Sequence, residues 1–223
     1  MKLQQIVKWL DATLDLGAFD DVSNNGIQID RTDENVSRVA FAVDGSLASV
    51  RAAAAADAGL LVVHHGISWG GGIRRLTGAA YAIAKAAMDA DLALYAAHLP
   101  LDANRAVGNN WELARYFRLK RIKPAFSYHG NVIGVTGYNA HGKKIGICSG
   151  GAGEFAVAAK ELGCDLFVTG EANWGEKIAA ENIGMQMVCA GHYETETFGV
   201  KALAKLMEKE LNIETLFIDR EDA

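Results

Sequence analysis

The sequence predicts an α/β fold of mostly parallel sheets flanked by helices, and three observations predict it. Short β-branched runs alternate along the chain with Ala-rich stretches of helical periodicity. Apolar residues make up 50% of the 223 positions and charged residues 22%, ordinary globular material with enough length for a substantial core. Several apolar runs also end abruptly in His, Asp or Glu, as strands do where they emerge at the carboxyl edge of an open α/β sheet.

Taken in order, MKLQQIVKWLDATLDLGAF carries Asp11 and Asp15 inside a helical apolar pattern and lacks a small-residue cleavage site. Residues 2–13 therefore read as an amphipathic helix and not a secretory leader. Strands are expected at 36–44, 59–65, 92–98, 132–138, 143–150, 164–171, 185–192 and 213–219, where β-branched and other apolar residues cluster between turn residues. Helices are expected at 46–57, 78–89, 109–117, 153–162, 174–182 and 196–211. Segments 46–66 and 153–171 both run helix, Gly turn, apolar strand, polar end, which points to an internal duplication. Pro124 and the polar stretch 127–130 interrupt the periodicity and place a lobe boundary near 125. The first lobe, 1–125, then carries His64, His65 and Asp102. The second, 126–223, carries His192 and Glu196, and its C-terminal helix is expected to pack back on the first.

A net charge of −5 without a sustained Lys/Arg block argues against a dedicated nucleic-acid surface, and the one basic run, LKRIK at 119–123, reads as a solvated loop. Cys148, Cys164 and Cys189 have no CxxC spacing, give neither a disulfide framework nor a zinc finger, and suit a reducing compartment. Cys189, inside MQMVCA, reads as a buried apolar residue. No apolar run is long enough to span a bilayer, so the expected location is the cytoplasm, with no membrane partner.

The chemistry concentrates at three strand ends. His64 and His65 follow the run Leu60 to Val63; neighbouring side chains on a strand diverge, so the pair suits two ions with one imidazole each. LALYAAH leads through His98 into LPLDAN and Asp102. MQMVCAGHYETE ends a strand at His192 and starts a helix, on which His192 and Glu196, four apart, share a face. Any one of these is as easily a cap or a core histidine; three together are not. With His98 set aside, they supply three imidazoles and two carboxylates, a set that suits zinc, iron, manganese, nickel or cobalt and not calcium or magnesium. Five ligands exceed one tetrahedral ion and fit two ions that share a carboxylate. His98 and Glu171 are candidate proton-transfer groups at the same edge. Asn24, Asn25 and Gly26 form a turn, of which Asn25 and Gly26 are candidate substrate contacts. SGGAGEF at 149–155 lacks a Lys at phosphate-loop spacing and reads as a tight turn, and His129 and His141 have no acidic partners nearby and no assigned role.

The blocks NNGIQID (24–30), VVHHGISWGG (62–71), AAHLPLDANRAVGNNWELA (96–114), ICSGGAGEF (147–155), DLFVTGEANW (165–174) and AGHYETETFGVKAL (190–203) resemble, in order and over nearly the whole chain, the Nif-three-like, YbgI-like dinuclear metal proteins, also called GTP cyclohydrolase one type two homologues. The resemblance implies a dinuclear site of His64, His65, Asp102, His192 and Glu196, with Glu196 bridging. It implies two intertwined, pseudo-duplicated α/β lobes and a toroidal homohexamer, a trimer of dimers. The segment from about 117 to 147 is short compared with longer members, so substrate contacts placed there in them are not carried over. The expected function is a metal-dependent hydrolase using a metal-activated water on a small molecule, with a nucleotide or related heterocycle suggested by the family label. The rival expectation is a non-enzymatic, ring-shaped metal-binding scaffold or metal-handling protein that recruits partners or nucleic acid, for which the same ligands would serve.

Overall fold

The computed structural model describes residues 1–220. In chain order the elements are α1 (Leu3–Leu14), β1 (Gly26–Ile29), β2 (Arg38–Asp44), α2 (Leu47–Ala55), β3 (Leu60–His65), α3 (Gly78–Asp89), β4 (Ala93–Ala96), α4 (Leu99–Ala103), α5 (Asn109–Tyr116), β5 (Lys120–Tyr128), β6 (Asn131–Tyr138), β7 (Lys144–Gly151), α6 (Ala156–Glu161), β8 (Leu166–Glu171), α7 (Trp174–Asn182), β9 (Gln186–Cys189), α8 (His192–Leu211) and β10 (Glu214–Phe217). They form two compact units, Met1–Leu101 with the segment from Val200, and Asp102–Gly199. Each is built on its own five-stranded sheet.

In the first unit the sheet order is β1-β4-β3-β2-β10, with four parallel strands and β1 antiparallel at one edge. Leu60 to Val63 and Leu94 to Ala96 are fully buried. Such all-apolar strands are what a parallel sheet with both faces covered requires. Val50 and Ala53 of α2 and Ala84 and Ala87 of α3 join Leu61, Val63 and Leu94 in one cluster, small helix residues letting the backbones approach closely. Ser46 caps α2 by accepting the Ser49 amide at 3.0 Å. The register sets Asp44 beside His65 and Val63 beside Ala96, so the β2, β3 and β4 carboxyl ends lie at one edge.

The second unit orders its strands β5-β6-β7-β8-β9, with β7, β8 and β9 parallel and β5, β6 and β7 an antiparallel meander. Trp111, Leu113, Val135, Ile147 and Val168 make its core. The expected duplicate segments become α2–β3 and α6–β8, both in the order helix, turn, strand. The left-handed turn residue is Asp57 (φ 54°) in the first and Gly163 (φ 74°) in the second.

The structure corrects several element assignments. Residues 119–123 are no solvated loop, because 120–123 begin β5. A register shift between Lys120 and Lys123, with Arg121 at φ 52°, hides the alternation that marks a strand. Pro124 sits in the same strand, tolerated because β5 is an edge that pairs only with β6. Residue 125, the lobe boundary expected from sequence, therefore lies inside β5. β1 and α4, four and five residues long, were too short to show a period. β9 stops at Cys189 and α8 begins at His192 instead of 196. Cys189 is exposed, not buried, since β9 is the other edge of its sheet. No helix among the described residues is long and apolar enough to cross a membrane.

Candidate metal centre

At the carboxyl edge of the first sheet β3 delivers His64 and His65, and the chain leaving β4 delivers His98. Ring nitrogens of the three lie within 4.8 Å of one another, a group that can hold a metal ion. The His64 and His65 rings, expected to diverge as strand neighbours, have centroids 4.6 Å apart, because His65 is the last residue of β3 and the pleat ends there. His98 lies 5.1 Å from the His64 ring centroid, and Trp69, whose Nε1–H donates to Gly66 O, packs 5.1 Å from His98.

Each imidazole is oriented from behind. His64, fully buried, uses Nδ1 at 3.0 Å from the carbonyl of Ala97. His65 uses Nδ1 at 2.9 Å from Asp44 Oδ1, and His98 uses Nδ1 at 2.9 Å from Asp21 Oδ1. Carbonyl and carboxylate oxygens only accept, so each Nδ1 carries the proton and Nε2 carries the lone pair. That arrangement is how metal-binding histidines are held.

Asp21 is the most elaborately held acid here. Its carboxylate accepts the amides of Ser23 and Leu99 and the side chain of Asn25 as well as His98. Burial alone would raise this carboxyl, but the bonds from His98, Asn25 and Ser23 outweigh it and bring its pKa to about 2. Asn25 also accepts the His98 amide at 2.9 Å, so this candidate substrate contact holds the His98 backbone. Gly26, at φ 104°, supplies the turn that lets it. Neither Asp21 nor Asp44 was singled out by sequence. Asp44 had a usable signal, since it ends a strand parallel and adjacent to the one ending in His65. Asp21 had none.

The second unit places His192 and Glu196 on the first turns of α8, with Nε2 and Oε1 3.2 Å apart. Nδ1 of His192 is 3.0 Å from Glu171 Oε1, so Glu171 orients His192 as Asp44 orients His65. Glu196 is buried. Asp102, in the first turn of α4, accepts on Oδ1 from Asn109 Nδ2 and Ser149 Oγ, both at 2.9 Å. Asn110 accepts the Ser149 amide at 2.7 Å, and Asn109 accepts that of Gly199 at 2.6 Å. The two buried asparagines thus tie α4, β7 and α8 together around Asp102. Gly150, at φ 66°, passes so close to α8 that a Cβ would meet Glu196 Oε1 at 2.4 Å. A cleft of about 380 Å³ is lined by Gly151, Glu171, Ala172, Asn173 and Glu176. Burial pushes the Cys148 thiol well up, with Asp102, Glu154 and Glu196 adding to it.

Imidazole and carboxylate donors of this kind fit a borderline transition metal and do not fit calcium or magnesium, which prefer oxygen shells. His129 and His141 belong to neither group, His129 stacking on Tyr128.

The model of the Duf34/NIF3 (NGG1p interacting factor 3) family matches residues 1–141 and 119–223. Proteins named GTP cyclohydrolase 1 type 2 homolog are 34% identical in Pyrococcus abyssi, over 98% of both chains, and 39% identical in Deinococcus radiodurans, over 96% of this chain and 92% of that one. Among solved structures, TTHA1606 from Thermus thermophilus superposes with a TM-score of 0.86 at 30% identity, covering 99% of this chain and 98% of that one. The protein ybgI, described as of unknown function, superposes at 0.85 with 26% identity over 98% of both chains. Reduced HcgD from Methanocaldococcus jannaschii, at 0.86 and 24% identity over 97% of both, shares the fold.

Proposed function

The chain belongs to the Duf34/NIF3 family, and from that premise we propose that it is a cytoplasmic metal-dependent hydrolase that binds two divalent transition-metal ions through His64, His65, Asp102, His192 and Glu196. The observation that carries the reading is the treatment of four histidines. His64, His65, His98 and His192 all commit Nδ1 to a carbonyl or carboxylate, which leaves Nε2 of each as the nitrogen available to a metal, that of His192 lying 3.2 Å from Glu196 Oε1. Histidines that only satisfied local backbone would not share one arrangement across two units.

Bound ions would supply hydroxide at neutral pH by lowering the pKa of a coordinated water to about 7. The chain's own residues do the rest. His98, braced by Asp21, is a side chain placed to take and return a proton. Glu171 holds His192 and lines a cleft with Asn173 and Glu176. The name carried by the relatives suggests a nucleotide or related heterocycle as substrate, opened or cleaved by water. A homohexamer, as a trimer of dimers, completes the proposal; light scattering that gave a monomer at micromolar concentration would remove that part.

The test is a hydrolase substrate screen, with GTP and other nucleotides included, on metal-loaded protein beside its Glu196→Ala variant. Turnover by the loaded protein, lost on chelation and in the variant while the variant stays folded, is expected. Metal-loaded protein that binds two ions and turns over nothing would leave a metal-binding scaffold and refute the hydrolase.

A further inference from the structure

The charge of this chain is concentrated in one place. Residues 113–153 hold seven of the 22 Lys/Arg and none of the 27 Asp/Glu, so a protein of net charge −5 contains one strongly basic segment. The fold turns that segment into β5, β6 and β7, three consecutive antiparallel strands of one sheet. Three of its cations are used locally. Arg115 bonds Glu112, Lys143 pairs with Asp165 at 3.2 Å, and Lys144 donates to Leu162 O at 2.6 Å. Arg118, Lys120, Arg121 and Lys123 are exposed, and their side chains make no hydrogen bond or ion pair among the described residues.

Aromatic groups lie among these four. Tyr116 and Phe117 immediately precede Arg118, and both are exposed. Tyr138, also exposed, is the direct cross-strand partner of Lys120, and Thr136 is that of Lys123. Directly opposed residues share a face with Cβ atoms about 5 Å apart, and Thr136 and Tyr138, two apart on β6, share that face too. The bulge between Lys120 and Lys123 therefore sets both lysines on the Tyr138 side although they are three residues apart.

We propose that this β5–β6 surface binds single-stranded nucleic acid, its cations following the phosphates and its aromatic rings stacking on bases. Unpaired cations interleaved with exposed rings are the combination single strands require, since each base offers a π-face and each linkage a charge. Duplex hides its bases in the stack. A peptide adding to the β5 edge would need a regular ladder, which left-handed Arg121 and Phe126 and the missing N–H of Pro124 interrupt. The proposal does not depend on metal or hydrolysis.

The experiment is fluorescence anisotropy of a labelled oligothymidylate titrated with the full chain at several salt concentrations. Four phosphate contacts predict a slope of log affinity against log salt of about −3, and Lys120→Ala/Lys123→Ala should shallow it by about 1.4. Tyr138→Ala should weaken binding about tenfold with the slope unchanged, since stacking carries no counterions. Lys120→Glu/Lys123→Glu should abolish binding while Lys177→Glu, outside the segment, leaves it intact; thermal melts and metal content of all variants check the fold. Absence of binding by wild type at low salt overturns the proposal, as does binding that survives the double charge reversal. Equal displacement by polyglutamate, or transfer of the protein to anionic phosphatidylserine vesicles in its place, would overturn it in favour of an acidic polypeptide or a membrane surface.

Discussion

Gly150→Ala is the smallest substitution that should disable the proposed metal centre without touching a proposed ligand. Gly150 stands at φ 66°, and a Cβ built there comes 2.4 Å from Glu196 Oε1 and 3.3 Å from His192 Nε2, where ordinary contact begins at 3.4 Å. About 1 Å must be found. The backbone cannot supply it, since Gly150 N–H donates to Thr195 Oγ1 and Gly150 O accepts from Thr169 Oγ1, both at 3.1 Å. Glu196 lies buried in a 20-residue helix, so its carboxylate must rotate out of place. Displacing a ligand by this much should cost at least the 10–100-fold in metal affinity seen when the groups behind a ligand are removed. The left-handed backbone adds about 1–2 kcal/mol of strain, read as a few degrees in melting temperature. Gly151→Ala is the control: its nearest neighbour would be Glu171 Oε1 at 3.5 Å, so affinity should stay within about twofold of wild type. The assay is competition with a chromophoric chelator on folded protein, alongside a thermal melt. Wild-type affinity in Gly150→Ala, or equal losses in both variants, would refute the reasoning that Glu196 and His192 bind metal where the structure holds them.

Three further expectations follow from other parts of the molecule. Metal analysis after reconstitution should find close to two transition-metal ions per chain, fewer in His192→Ala and the same number in His129→Ala and His141→Ala; a wild-type value at or below one would exclude a dinuclear centre. Hydrogen bonds from the Thr32 and Asp33 amides bring half-exposed Asp91 down to about 2, below its unfolded value near ~3.9, so its contribution to stability is present above pH ~4 and disappears as pH falls toward 2. Asp91→Asn should flatten that acid limb in denaturant unfolding followed by circular dichroism, and an unchanged limb would show that the loop bonds do not matter. A thiol-reactive chromogen should modify exposed Cys189 first in the native protein, with buried Cys148 and Cys164 reacting only after unfolding; fast modification of two or more thiols would contradict that burial.

What could be read from the sequence was whatever acts over a short span. Leu60 to Val63 announces a buried strand by composition alone, and the histidines that end it are then placed at a sheet edge without further knowledge. The same holds for the run before His98 and for the four-residue spacing of His192 and Glu196. Features that depend on pairing were not legible. β5 could not be read because its bulge and Pro124 erase the period-2 signal, and its identity as a strand rests on β6 holding it. Cys189 was misjudged for a related reason: the apolarity of MQMVC indicates a strand but not whether that strand lies at the middle or the edge of its sheet.

The groups behind the histidines show most clearly why the remainder was hidden. Asp21 is 77 residues from His98, Asp44 is 21 from His65, and Glu171 is 21 from His192. Two of these three partners end strands that lie parallel to a neighbour, so their separation in sequence is one strand–helix–strand unit or close to it, and knowledge of the sheet order alone would pair them. Asp21 belongs to no element, and only the closed turn from Asp21 to Gly26 brings it to His98. A sequence reading restricted to strand ends therefore finds the candidate ligands and misses the irregular segment that fixes His98. That segment is where single substitutions should separate placement from chemistry. Asp21→Asn replaces one acceptor oxygen by an NH2 that must face either the Ser23 and His98 donors or the Asn25 and Leu99 donors, so it breaks the brace behind His98, whereas Asn25→Ala releases the His98 backbone and leaves the Asp21 bond to its ring.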